Sequence, residues 1–318
     1  MNDVTLEESP ARPKRDKREQ RRSTRVDVNG WVCLDKPVGL TSTQAVAQVK
    51  YLFNAKKAGH AGTLDPLASG VLPIAFGEAT KTVSIVQDGV KVYRFGVKWG
   101  EETETDDAEG RVVASSDLRP DALAIADQLP RFIGAISQVP PKYSAIKIAG
   151  ERAYDLARDG ADVVMAPREI VVHRLELVSR EADMAIFEAE CGKGTYVRAI
   201  ARDLGRLLGC YGHVALLRRT RVGPFWSERA VTLDSLREAP ELAPQAMLPI
   251  EAGLQELTGI ALDRDGAAIL RRGQKLLLRG GRAPADGPAY ASCFGAPIAF
   301  GVVEAGYFVS TRVFNLAR

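Results

Sequence analysis

Residues 60–70, HAGTLDPLASG, run without a spacer into the apolar VLPIAFG. A short, continuous apolar run bounded by glycines reads as a buried strand. The loop that delivers it must therefore end at the edge of a core, and Asp65 sits in that loop. A carboxylate there costs free energy unless it has a partner or a task. An ordinary Asp-Pro turn would account for Asp65 and Pro66 on local grounds alone. A chain built around this stretch must supply a covered sheet, and something to meet the carboxylate.

The neighbouring segments supply the sheet. GWVCLDKP (30–37) reads as a short buried strand ended by a Lys-Pro turn, and residues 39–42 lead into a helix with Ala45, Val46, Val49, Leu52 and Phe53 at helical spacing. GEATKTVSIV starts another helix. In KVYRFGVKWG the alternation places Tyr93, Phe95, Val97 and Trp99 on one strand face. The acidic GEETETDDAEG reads as a turn-rich loop, and DALAIADQL as a helix. After a polar-aromatic insert over 138–160, strands are expected at 169–178 and 184–191. A helix then starts at about Thr195, which reads as its N-cap. Its buried stripe is Val197, Ile200, Ala201, Leu204, Leu207 and Leu208. A Pro-, Ala- and Glu-rich stretch over 237–249 marks a boundary, and the glycine-broken apolar segments beyond it suggest a small β-barrel. The class is α+β, with a small β-rich C-terminal domain.

Charge and cysteine usage narrow the function classes. Residues 11–25 hold eight Lys and Arg against Asp16 and Glu19 with no apolar periodicity, so 1–28 reads as a disordered basic arm. Such an arm either solubilises the chain or weakly attracts a polyanion. No apolar run approaches the roughly 18 residues of a membrane span. With no secretory or transit signal, the expected location is cytoplasmic. Cys33, Cys191, Cys210 and Cys293 form no C-x-x-C pair, and His60, His173 and His213 are far apart, so no metal site is expected.

Single residues carry weak signals. Arg198 falls in the first turn of its helix, where the dipole disfavours a cation by roughly 0.3–1 kcal/mol. It either holds a carboxylate or shares an exposed face with Arg202 and Arg206. Tyr93 alternates with core residues, His60 sits in a turn, and Lys36 precedes a proline turn. Each has an ordinary structural explanation.

Together they point one way. DKPVGLTS (35–42), GHAGTLDPLASGVLPIAFGEATK (59–81), KVYRFGV (91–97), PPKYSAIK (140–147), GKGTYVRAIARDLG (192–205) and HVALLRRTRVGPF (213–225) closely resemble, in order and spacing, the bacterial tRNA pseudouridine synthase family TruB. The resemblance is strong over 30–225 and only general over 250–318. It implies a pseudouridine synthase catalytic domain over 29–246, with a mixed, largely antiparallel sheet flanked by helices and an RNA-binding insert at 138–160. It also implies a PUA-like β-barrel over 247–318. The implied reaction converts uridine 55 of the tRNA T-loop to pseudouridine without metal or organic cofactor, in an enzyme needing no protein partner, expected as a monomer.

By that resemblance Asp65 is the catalytic aspartate, which either bonds covalently to the sugar or takes a ribose proton to give a glycal. Arg198 is implied as its partner, a guanidinium that orients the carboxylate in its charged form. Tyr93 matches the residue on which the extruded base stacks, and His60 one that fills the vacated place in the RNA loop. Tyr196 and the Leu217 backbone match positions lining the uracil pocket. Lys36, Lys142, Lys147, Arg218, Arg219 and Arg221 are candidates for phosphate contacts, which position RNA without reading its sequence. Two rival readings are a guide-dependent relative inside a ribonucleoprotein and a tRNA chaperone whose catalysis is incidental. The compact C-terminal region favours a stand-alone enzyme over the first, and the presence of every expected catalytic position argues against the second.

Overall fold

The computed structural model describes residues 25–144, 146–148, 151–152, 154, 164–278 and 284–316. Most of the basic arm, and residues 145, 149–150, 153 and 155–160 of the 138–160 insert, lie outside them. The chain opens with β1 (Gly30–Lys36), α1 (Ser42–Leu52), β2 (Ala58–His60), β3 (Ser69–Phe76), α2 (Val83–Asp88) and β4 (Lys91–Trp99). It continues through β5 (Glu101–Thr103), β6 (Val112–Ser115), α3 (Ala122–Gln128), β7 (Gly134–Gln138), β8 (Lys147–Ile148) and β9 (Glu151–Arg152). Next come β10 (Arg168–Arg180), β11 (Met184–Cys191), α4 (Val197–Leu207), β12 (Gly212–Val222), β13 (Phe225–Trp226), β14 (Val231–Thr232) and α5 (Leu233–Glu238). The last stretch holds β15 (Thr258–Leu262), α6 (Arg264–Arg271), β16 (Leu276–Leu277), β17 (Gly287–Cys293), β18 (Ala296–Glu304) and β19 (Tyr307–Val313).

One sheet organises the first part, in the order β14-β1-β3-β12-β4-β11-β10-β7, with β13 on β12 and β2 on β3. It is mixed and largely antiparallel: only β1–β14 and β3–β12 run parallel. The helices form where local chemistry starts them. Thr41 and Gln44 close a reciprocal capping box at the head of α1, which buries Ala45 and Val49. On β4 the alternation holds: Phe95, Val97 and Trp99 are buried and Tyr93 is half-buried. Phe95 stacks on Phe187 of β11 at 5.4 Å between ring centroids. Each such aromatic, fully buried, stabilises the fold by about 1.5–3 kcal/mol.

The parallel join of β3 to β12 sets up the centre of the molecule. It rests on two register pairs, Arg218 with Ser69 and Arg219 with Gly70. Gly70 has φ +106°, and a Cβ there would lie 2.2 Å from the Arg219 carbonyl oxygen. Only glycine permits that approach, which hangs the 60–70 loop over β12 and β4.

Three local expectations are corrected. The acidic 100–110 segment is a hairpin, β5 against β6, and Glu102, Asp106 and Asp107 are buried in and beyond it. Helix α4 begins at Val197 with Tyr196 as N-cap, without a side-chain cap. Gln138 holds the N-cap residue's backbone from a distance, accepting from the Tyr196 N–H at 2.9 Å and donating to its carbonyl at 3.1 Å. On the same helix Arg198 and Arg202 are buried, whereas Leu207, expected in the stripe, is exposed.

The second sheet, β15-β17-β18-β19-β16, matches the small PUA-like unit expected, curled into a half-barrel whose described strands form an open path. Ala267 and Leu270 of α6 pack into it with Ile298 and Phe308. It is tied to the first sheet's surroundings. Phe300 and Phe314 join a buried cluster with Trp31 and Phe225, and Lys81 Nζ donates to the Val313 carbonyl at 2.9 Å. Residues 248–254 also pack on the first sheet, Leu248 exchanging backbone hydrogen bonds with Trp31.

Candidate active site

The 60–70 loop is fastened at both ends. Ser42 Oγ, at the start of α1, donates to the Leu64 carbonyl at 2.9 Å and accepts from the Leu64 N–H at 2.8 Å. The Ala68 N–H donates to the Asp65 carbonyl at 3.1 Å, and Gly39 N–H to that of Pro66 at 2.8 Å. Asp-Pro does make a tight turn here, and that turn aims the Asp65 side chain into a cleft of about 440 Å³. The carboxylate is 37% exposed. Its Oδ2 lies 3.0 Å from Arg198 Nη2.

Arg198 is fixed on every side. Nη2 also donates to the Tyr143 carbonyl at 2.9 Å. Nη1 donates to the Thr105 carbonyl at 3.1 Å and to Asp107 Oδ2 at 3.0 Å. Hydrogen bonds to charged groups contribute about 1.5–3 kcal/mol each, several times the helix-dipole cost of a first-turn cation. Asp107, only 2% exposed, is itself held by Thr105 Oγ1 and the Glu109 N–H. Arg198 thus joins Asp65, at the cleft, to a buried carboxylate behind it.

The same pattern repeats down the helix. Arg202 pairs with Asp106 at 3.0 Å, and Arg206 grips Glu102 through two bonds of 2.7 and 2.6 Å. Arginines at i, i+4 and i+8 share a helix face, and the 100–110 hairpin supplies a carboxylate to each. Burial pushes the Asp106 carboxyl up to about 6 against the opposing Arg202 and Arg198 charges. Sequence reasoning missed Asp107. The usable signal was the coincidence of three arginines in register on one helix with a cluster of acids elsewhere.

Tyr93, Tyr196 and Leu217 also line the cleft. Burial raises the Tyr93 phenol's pKa, opposed chiefly by the Arg219 charge. Burial likewise raises that of Tyr196. His60 lies on β2, outside the cleft lining; its Nδ1 is buried without a hydrogen-bond partner, and burial followed by the Arg219 charge lowers its pKa.

Of the phosphate candidates, Lys36 and Arg219 are corrected by burial. Lys36 is fully enclosed, and its Nζ donates to the carbonyls of Pro37 and Leu40, both at 2.8 Å. Burial lowers its pKa to about 8, against the Asp65 charge. Arg219 is 1% exposed and donates to the carbonyls of Val71, Thr63 and Gly62 at 2.8–3.1 Å, holding the loop that carries Asp65. Neither can reach out to a surface phosphate. Arg218 is partly exposed but bound bidentately to Asp35, and Arg221 lies over the Trp226 ring beside Glu256. Lys142 is exposed. The Lys147 side chain lies outside the described residues.

Known proteins resemble this chain over most of its length. The sequence pattern described as TruB family pseudouridylate synthase (N terminal domain) matches residues 50–197, and that of the tRNA pseudouridylate synthase B C-terminal domain matches 198–255. A protein of Bradyrhizobium diazoefficiens named tRNA pseudouridine synthase B is 57% identical over 314 residues, covering 96% of this chain and 91% of that one. One of the same name from Agrobacterium fabrum is 52% identical, covering 94% and 98%. Among solved structures, Cbf5 in a Cbf5-Nop10-Gar1 complex is similar with TM-score 0.71 and 25% identity, covering 90% of this chain and 84% of that one. A Nop10-Cbf5 complex of an archaeal box H/ACA sRNP shares the fold with TM-score 0.68.

Proposed function

This chain belongs to the TruB family of pseudouridylate synthases, and from that premise we propose that it isomerises uridine 55 in the T-loop of tRNA to pseudouridine. The observation that carries the reading is the Asp65–Arg198 pair, 3.0 Å apart, on the wall of a cleft that also holds Tyr93.

Uridine in a folded loop must be extruded before its glycosidic bond is reachable, at a cost of a few kcal/mol. Stacking on an aromatic platform returns about 1–3 kcal/mol per base, and Tyr93 offers that platform. With the base seated, Asp65 acts at the sugar. The N1–C1′ bond breaks, and Asp65 either bonds to C1′ or takes a ribose proton. The base turns within the cleft and rejoins through C5. Arg198, locked by Asp107 and two carbonyls, fixes the carboxylate's aim. Tyr196 and the Leu217 backbone enclose the ring, and His60 occupies the space the base leaves in the RNA.

The near-complete coverage of relatives named for tRNA supports a free-standing, cytoplasmic enzyme working on tRNA itself. The test is to incubate purified protein, with no guide RNA or other protein, with a T-stem-loop carrying 5-tritiated uridine. Tritium release and pseudouridine at the expected position support the proposal. Conversion only after addition of a guide RNA and its proteins would replace it with the guide-dependent reading.

A further inference from the structure

Lys91 opens β4 and shares its buried face with Tyr93, two residues along, roughly 6–7 Å away on a strand. It lines the same cleft as Asp65, is 6% exposed, and its Nζ donates to the Gln87 carbonyl in the last turn of α2. Outside it, Lys193 closes over Asp88 at 3.0 Å. Among the described residues, no carboxylate lies within ion-pair distance of the Lys91 ammonium or of the Arg219 guanidinium. Both cations are met by backbone carbonyls. Burial and the Arg219 charge both lower the lysine's pKa.

A cleft wall carrying two desolvated cations without counter-carboxylates is arranged for an anion. Asp65 does not fill that need, since Arg198 takes its charge. Backbone phosphates are strongly hydrated and are met by long, exposed side chains, whereas this ammonium is enclosed. The part of the substrate that enters the cleft is the base. Uracil enters neutral and becomes anionic only when the bond to the sugar breaks.

Resting on the function proposed above, we propose that the Lys91 ammonium contacts the detached uracil ring and stabilises the negative charge it carries. When N1–C1′ breaks, the electron pair stays on N1 and spreads to O2 and O4. C1′ is satisfied by a bond from Asp65 or by loss of the C2′ proton to it. Rejoining C1′ to C5 breaks the Asp65–C1′ bond, or returns the C2′ proton from Asp65; the C5 proton then leaves and N1 takes one up, so the atoms balance. The contact strengthens as the bond breaks, so it acts on the rate rather than on binding.

The experiment compares Lys91→Met and Lys91→Arg with wild type in single-turnover reactions on T-stem-loops bearing uridine or 5-fluorouridine at the target. Rates are normalised to RNA-binding-competent protein by stoichiometric titration. Lys91→Met is expected to slow uridine conversion by about 10²–10³-fold, with Kd for RNA close to wild type and Lys91→Arg retaining much of the rate. Fluorine already stabilises the departing anion, so the penalty with 5-fluorouridine, followed as loss of the starting nucleotide because its C5 carries no proton to release, should be far smaller. Equal slowing of both bases, or a loss confined to Kd, overturns the proposal. Wild-type conversion of uridine tests the underlying reaction separately.

Discussion

Replacing Arg198 with lysine keeps the charge and removes the fork. In the native site two terminal nitrogens make four contacts of 2.9–3.1 Å, one pair to Asp107 and the Thr105 carbonyl, the other to Asp65 and the Tyr143 carbonyl. A single ammonium nitrogen can serve one side at a time. Losing two hydrogen bonds to a charged group costs about 3–6 kcal/mol at 1.5–3 each, shared between folding and the reaction. If even half falls on the transition state, the rate drops by about 10–100-fold, at 1.36 kcal/mol per decade. Single-turnover pseudouridine formation at saturating protein, with a thermal melt and an RNA Kd on the same sample, separates the two shares. Turnover within about threefold of wild type in a well-folded Arg198→Lys protein would refute the role given to the planar fork.

Three further outcomes follow from the buried charges and the tight sheet join. Lys36→Met should lower the melting temperature yet leave the salt dependence of RNA binding unchanged, because the enclosed ammonium holds the Pro37 and Leu40 carbonyls; a slope reduced by about one unit in a log–log titration would restore a phosphate contact. Asp106 holds a proton in the folded state between its unfolded value of 3.8 and about 6. The folded state binds more protons in that window, so its contribution falls as pH rises. Wild type should therefore lose stability relative to Asp106→Asn from pH 4 to 6; a difference independent of pH across denaturation curves would contradict this. Gly70→Ala should destabilise the fold by at least about 2 kcal/mol, since it combines a positive φ with a Cβ overlapping the Arg219 carbonyl. A melting temperature equal to wild type would show that the join can yield.

The sheet was legible because its strands carry alternation or unbroken apolar runs, as in Tyr93–Trp99 and Val71–Phe76, and the helical spacing of Ala45, Val46, Val49, Leu52 and Phe53 announced α1. Asp65 and Arg198 stood out because each breaks a local rule, one as a carboxylate beside a core, the other as a cation in a first helical turn. The partner behind them did not. Asp107 lies 91 residues from Arg198 in a run of acids that, taken locally, looks solvated. Lys36 and Arg219 misled in the opposite direction. Both read as side chains that reach for phosphate, yet Lys36, at the end of β1, is enclosed by the carbonyls of the turn that follows it, and Arg219, inside β12, by those of β3 and the 60–70 loop. The N-cap of α4 is Tyr196 rather than Thr195, and its backbone N–H and carbonyl are held by Gln138, distant in sequence.

The most direct measurement is made on Asp65→Asn, which keeps the side chain's shape and removes its charge. Affinity for a uridine T-stem-loop and the rate of pseudouridine formation are determined on one preparation. Binding close to wild type with formation abolished is the expected result. Pseudouridine accumulating at a rate near that of the unaltered protein would contradict the central claim that this carboxylate drives the rearrangement.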